Sequence, residues 1–505
     1  MTVPVVVTGL GVMSPNGLGH RDFWTATLAG KAAIGPVTRF DAAQYPATLA
    51  GEISGFSPEA HLPSRLLPQT DRVTRLSLVA ADWALADAGI EPASQPEFGM
   101  GVITASSAGG FEFSQGELRN LWSKGSRHVS GYQSFAWFYA VNTGQISIRN
   151  GMKGPSGVVV SDQAGALDAV ANARRQVRRG ASLIVTGAVD ATLCPWGWVG
   201  LHSSGRLSTA TEPTRAYLPF DHRAGGYVAG EGGAILVLEP AASAAARGAR
   251  AYGEIAGYAA TFDGPGPGSP AALGKAIELA LADAGLAPAD VDVVFADGAA
   301  DPELDRHEAA AITAAFGPRG VPVTAPKTMT GRLCAGMAAL DLATAFLAMA
   351  EGVIPPTVNV EPDDSYGLDL VVGQPRAARL RAALVLARGQ GGFNSAMVVR
   401  GHADGSLPPL TPSVTKGRPA MPITAASFSI DDLVRILCRA SGTPDGVDLT
   451  GDILDTRFEA LGYDSLALLE AASWIEREYG IELTDADYPT PRAFLAAVRT
   501  AGDAA

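Results

Sequence analysis

Cysteine is scarce in this chain: Cys194, Cys334 and Cys438 are the only three in 505 residues. Their odd number and wide spacing give no disulfide framework and no paired Cys-x-x-Cys metal site, so no metal is expected and a reducing cytoplasm is the expected compartment. Long apolar runs are missing too. No stretch reaches the ~18 uninterrupted apolar residues that a membrane helix needs, so no membrane partner is expected. The first segment, MTVPVVVTGLGVMSPNG, has no basic flank and is broken early by Gly and Pro; it reads as a buried strand and not as a secretion signal. Positive charge is in deficit. Lys and Arg number 38 against 51 Asp and Glu, a net of −13, which argues against nucleic acid as a partner.

What is present points to a large, multidomain globular chain, 47% hydrophobic and 18% charged. The acidity is concentrated at one end. From Ala426 onward there are 15 acidic residues, 6 arginines and no lysine, a net of −9 that leaves −4 for the first 425 residues. Before this acidic module, residues 402–425 hold five prolines and no apolar periodicity, the composition of a linker. The preceding region contains an echo: ALADAGIEP begins at Ala84 and ALADAGLAP at Ala280. Each reads as the end of an amphipathic helix closed by a left-handed Gly, and each precedes a buried-strand pattern, GMGVITA or VDVVFADG. We expect two similar α/β halves, 1–245 and 246–401, a linker over 402–425, and a small helical domain over 426–505. The last has three helix signals: SIDDLVRILCRAS capped by Ser429, a helix opening at Asp464–Ser465 and closing at Gly480, and TPRAFLAAVRTA with Thr490 as cap and Pro491 at the first position.

The stretch VVVSDQAGALDAV, Val158–Val170, reads as a buried strand running through a tight elbow at Ser161–Ala164 into a helix, with Gly165 allowing close packing. Enzymes place nucleophiles at such elbows, but the residue here is Gln163, an amide. A helix face beyond it carries Arg174, Arg175, Arg178 and Arg179. These suit a solvated face near a helix C-terminus, or a docking patch for an acidic carrier or a partner subunit. Without further context Gln163 is open to three readings: a lost nucleophile, an amide put to chemical use, or a hydrogen-bonding filler in a subunit with another task.

With the elbow, the stretches GYVAGEGGAILVLE (Gly226–Glu239), PKTMTG (Pro326–Gly331) and GGFNSAMV (Gly391–Val398) occur in an order that resembles the β-ketoacyl synthase family of thiolase fold. RLLPQTDRVTRLSLVAADWAL, SFAWFYAVNTGQISIR and CPWGWV are similar to its chain-length factors, the ketosynthase β-subunits of type II aromatic polyketide synthases. The resemblance implies a layered α-β-α-β-α body of two halves. It also implies that condensing members carry Cys at 163 and His at 297 and 332, where this chain has Gln163, Asp297 and Arg332 and keeps Lys327. Condensation requires a thiolate, which an amide cannot supply. Decarboxylation of a malonyl thioester requires donors aimed at a developing enolate, which an anionic Asp297 would oppose. The pocket is therefore expected to be silent, with a Gln163-dependent malonyl-carrier decarboxylase as the alternative. Cys334 reads as an ordinary buried cysteine and not as a displaced nucleophile.

The resemblance further implies a heterodimer with a Cys-bearing ketosynthase α-subunit. The β-subunit would set the depth of the elongation tunnel, here with Phe111, Ser114 and Leu118 at i, i+3 and i+7 on one helix face, toward an octaketide-like aromatic product. The resemblance implies that relatives tend to carry a bulkier Phe at 118, which leaves room here for a somewhat deeper tunnel. LGYDSLALLE, Leu461–Glu470, resembles the site at which acyl carrier proteins accept 4′-phosphopantetheine, with Ser465 as the attachment point and Asp464 beside it. A helix start exposes the hydroxyl and offers free N–H groups to a phosphate. Such a carrier implies a phosphopantetheinyl transferase and a malonyl-loading acyltransferase as partners.

Overall fold

The computed structural model describes residues 3–264, 270–401, 428–444, 447–479, 483 and 488–502. It resolves into two compact units. The first is built from residues 1–56, 76–109 and 139–408, the second from 57–75, 110–138 and 409–505. The Pro-rich stretch 402–425 lies outside the described residues.

Eleven strands carry the first unit: β1 (Val5–Ser14), β2 (Met100–Ala105), β3 (Ser156–Val159), β4 (Leu183–Asp190), β5 (Gly232–Pro240), β6 (Gly253–Phe262), β7 (Val293–Phe295), β8 (Pro322–Thr324), β9 (Asp369–Leu370), β10 (Ala382–Gly389) and β11 (Phe393–Gly401). They lie in the order β9-β8-β7-β10-β11-β6-β1-β5-β4-β2-β3. Reading outward from the centre, the first half runs β1-β5-β4-β2-β3 and the second β6-β11-β10-β7-β8. In both, the first strand is antiparallel to the second, the second is antiparallel to the third, and the remaining pairs are parallel. One topology is thus used twice. The two copies join only where β1 meets β6 at Val6↔Glu254 and Val7↔Gly253.

The repeated nonapeptide now has a physical reason. Helix α1 (Arg72–Asp87) lies on β1, with Ala80 and Ala84 over Gly11 and Gly9, and α4 (Pro270–Ala284) lies on β6. A Cβ on Gly9 would stand 2.0 Å from the Ala84 carbonyl oxygen, and one on Gly257 would stand 2.2 Å from that of Ala280. Each copy needs a bare strand position under an alanine-faced helix. Both helices then stop at a left-handed glycine, Gly89 at φ 64° and Gly285 at φ 62°. α5 (Pro302–Phe316) packs beside α4, and between the two halves of the sheet run α3 (Gly165–Arg178) and α6 (Gly336–Glu351). α6 is buried at every position from Gly336 to Met349, as an interior helix must be when it is apolar all round. The result is the α-β-α-β-α layering.

Two expectations are corrected here. β3 is the edge strand of its half and is half-exposed rather than buried, because only β2 flanks it. Arg174 is neither solvated nor free for docking. It is 5% exposed, donates from Nη1 to the Ala256 carbonyl at 2.8 Å and to that of Ile255 at 3.3 Å, and pairs with Asp283. It clamps α3 to β6 and α4, while Arg175 and Arg179 remain exposed.

The second unit contains α2 (Phe111–Lys124) and three helices of the C-terminal domain, α7 (Ile430–Ser441), α8 (Ser465–Tyr479) and α9 (Pro491–Gly502). The domain core includes Leu433, Ile436, Phe458, Ala471, Phe494 and Val498. α7 opens with a capping box: Ser429 Oγ accepts from Asp432 N–H at 3.3 Å, and Asp432 accepts from Ser429 N–H at 3.0 Å. Among the described residues no helix is long and apolar enough to cross a membrane.

Candidate functional site

The elbow between β3 and α3 is a strained turn held by its neighbours. Asp162 sits at φ 50°, left-handed for a non-glycine residue. Its Oδ2 accepts from Gln390 N–H at 2.8 Å. Next to it, Ser161 donates to Asp168 Oδ2 at 2.5 Å, and Asp168 Oδ1 accepts from Tyr258 at 2.7 Å and from Ser395. Gly165 approaches closely, since a Cβ there would lie 3.1 Å from that of Ala105. Gln163 is presented at the tip, 6% exposed, and faces a cavity of about 480 Å³. Its Oε1 has no hydrogen-bond partner among the described residues.

Asp297 and Arg332 line the same cavity. They form a buried bidentate pair, Nη1 to Oδ2 at 3.1 Å and Nη2 to Oδ1 at 2.9 Å. Burial opposes the guanidinium charge, but Asp297 overrides it and holds Arg332 firmly protonated. Asp297 Oδ1 also accepts from Arg388 N–H at 3.0 Å, while its own N–H donates to Glu308 at 2.6 Å. Burial, reinforced by Asp297, pushes the Glu308 carboxyl up to about 7 despite the opposing charge of Arg388. Lys327 does not join this group. Its Nζ pairs with Asp341 at 2.7 Å, both nearly inaccessible, and burial raises Asp341 to about 6 against the pull of that lysine. Cys334 is buried, and burial followed by the nearby Asp190 pushes its thiol well up, so the thiolate is disfavoured. Among the described residues there is no cluster of His, Cys, Asp or Glu able to hold a metal.

At the tip of the elbow the cavity presents an amide where a thiolate would be needed for condensation. Its strongest cation is consumed by the adjoining carboxylate rather than aimed at a developing oxyanion. Arg388, Glu308, Asp341 and the cavity-lining Arg206 and Tyr227 were not found by sequence reasoning. Their partners lie far off in sequence, as Asp297 and Asp263 do from Arg388, and no local spacing marks them.

The remaining site residues belong to the second unit. Phe111, Ser114 and Leu118 lie along α2; Ser114 is buried and accepts from Gln133 Nε2 at 3.0 Å, while the other two are half-buried. At the start of α8, Asp464 is the cap, its Oδ1 accepting from Ala467 N–H at 2.8 Å. Ser465 is exposed, and its hydroxyl makes no hydrogen bond among the described residues. A phosphate on that oxygen fits an open surface. One of the N–H groups it was expected to find at the helix start, however, is already taken by Asp464.

A thiolase-fold body with a disarmed elbow, followed by a small helical module with a serine free at a helix start, defines a non-condensing synthase subunit joined to a carrier. Residues 2–244 match the N-terminal domain of β-ketoacyl synthases and 252–361 the C-terminal domain. Residues 431–498 match the phosphopantetheine attachment site family. The chain belongs to the β-ketoacyl synthase family. It is 61% identical over 402 residues to the actinorhodin polyketide putative β-ketoacyl synthase 2 of Streptomyces coelicolor, across 79% of this chain and 99% of that one. It is 60% identical over 403 residues to the tetracenomycin polyketide synthase ketoacyl synthase β-subunit of Streptomyces glaucescens, across 79% and 98%. Among solved structures, the ishigamide ketosynthase/chain length factor superposes with a TM-score of 0.75 at 27% identity, covering 80% of this chain and all of that one. A type II polyketide synthase acyl-carrier protein in complex with its ketosynthase bound to the hexaketide gives 0.72 at 26%, with the same coverage. Within its family the chain is therefore a polyketide ketosynthase β-subunit, extended by a carrier domain.

Proposed function

We propose that this chain pairs with a Cys-bearing ketosynthase, completes and limits the tunnel in which a polyketide grows, and presents malonyl and polyketide groups from Ser465. The observation that carries this reading is the Arg332–Asp297 pair, which neutralises the position where a condensing site needs free donors. When bound, phosphopantetheine supplies a thiol on a long arm that holds acyl groups as thioesters. The chain's own part is to expose Ser465 Oγ and to keep Asp464 engaged as the helix cap. A phosphopantetheinyl transferase and a malonyl-loading acyltransferase are the partners this chemistry requires.

The tunnel assignment is tested with the partner ketosynthase present. Phe111→Ala is expected to lengthen the product by at least one two-carbon unit and Leu118→Phe to shorten it, read by mass spectrometry of the released polyketides. An unchanged product distribution in both would remove these residues from the gate. The decarboxylase alternative has its own assay. CO2 release from a malonyl-loaded carrier by this chain alone is expected to match that of Gln163→Ala. A drop of tenfold or more in the variant would establish an amide-dependent activity and overturn the silent-site reading.

A further inference from the structure

The second unit joins the helical domain to two short segments from much earlier in the chain, residues 57–75 and 110–138. The contact is made of matched polar groups. Glu470 on α8 is 5% exposed, and its Oε2 accepts from Ser130 Oγ at 2.9 Å and from Gly131 N–H at 3.1 Å. A buried carboxylate is tolerated where donors of this kind meet it. Tyr132, 2% exposed, shares a 2.9 Å hydrogen bond with Ser441 Oγ at the end of α7, and burial pushes its phenol up to about 12. Ser64 Oγ accepts from Thr443 N–H at 2.9 Å and donates to the Thr443 carbonyl at 3.3 Å. The fit leaves little room: a Cβ on Gly131 would lie 3.1 Å from Leu466 Cδ1.

We infer that the loop 126–132, together with Ser64, is a built docking seat whose occupant is the helical domain of this same chain. Glu470 is the charged contact that holds it there. The seat is braced from behind by α2. Glu117 accepts from Ser130 N–H at 2.6 Å, and Gln133 donates to Ser114 at 3.0 Å. Occupancy is therefore felt on the helix that bears Ser114 and Leu118. Ser465 stays exposed in the docked arrangement, so docking does not close off the attachment oxygen.

Hydrogen exchange of the full chain, read by mass spectrometry, tests this. Glu470→Ala is expected to speed exchange of the peptide covering residues 129–133 by about tenfold or more. Leu469→Ala, at a neighbouring position that is 45% exposed, is expected to change nothing there. Unchanged exchange at 129–133 in Glu470→Ala overturns the inference. If Glu470→Ala also loses protection around Leu433 and Phe494, the domain itself has opened. The decisive variant is then the double substitution Ser64→Ala with Ser130→Ala, which leaves the domain's own sequence intact. It must speed exchange across residues 441–444 with the domain core still protected, and if it does not, the seat is refuted. The inference does not require modification of Ser465. Intact mass measured on the same samples reports separately whether the carrier reading fails.

Discussion

A Ser465→Ala chain, co-expressed with a phosphopantetheinyl transferase, is expected to show no mass increase, while the parent chain gains one phosphopantetheine. With the ketosynthase partner and a malonyl donor present, polyketide formation by the variant is expected to fall to background and to return when a free carrier protein is added. The reason is local. Asp464 already serves as the cap of α8, so Ser465 has no structural hydrogen bond to lose among the described residues, and its exposed hydroxyl is the group that changes. Loss of Ser465 should accordingly leave stability within about 0.5 kcal/mol of the parent, as for an exposed substitution away from special features. A modified Ser465→Ala chain would place the attachment point elsewhere.

The second large effect concerns the disarmed elbow. Asp297→Ala is expected to destabilise the first unit by about 3–5 kcal/mol, because it leaves the Arg332 guanidinium buried without its counter-charge. The side chains are 6% and 4% exposed, so solvent cannot substitute for the lost partner. Replacing both members, Asp297→Leu with Arg332→Met, is expected to cost much less than the single change, since no charge remains to be desolvated. The unfolding transition of the first unit in denaturant measures both, and the coupling between the two positions follows from the double-mutant cycle. A single-variant loss below about 1 kcal/mol would mean that water reaches the pair. It would also reopen Arg332 as a donor available for chemistry.

Local sequence carried the parts of the molecule that are locally determined. The elbow, the capping box at Ser429 and the two left-handed helix stops follow from residues within a few positions of one another. The disarming of the site was legible as three substitutions, but their arrangement as an ion pair was not. Asp297 and Arg332 are 35 residues apart and are brought together only by the second copy of the fold. Arg174 was misread for a related reason. On a helical wheel it belongs to a basic stripe, yet its partners are backbone carbonyls of β6, and a carbonyl leaves no trace in sequence. The edge position of β3 was hidden because a run of valines looks the same whether one strand or two flank it.

The repeated topology makes the interior a junction of two equivalent corners, β3 into α3 and β8 toward α6, from which Gln163 and Arg332 reach one cavity. A scaffold that holds two copies of the same corner needs a reactive group on neither to stay folded. The second corner is free to drift as long as the charge of Arg332 is answered by Asp297 in the same half. A silent subunit can therefore arise from an active one by paired exchange within the second half, at 297 and 332, rather than by decay. In a lineage of such subunits, changes at 297 and 332 should travel together even where position 163 varies.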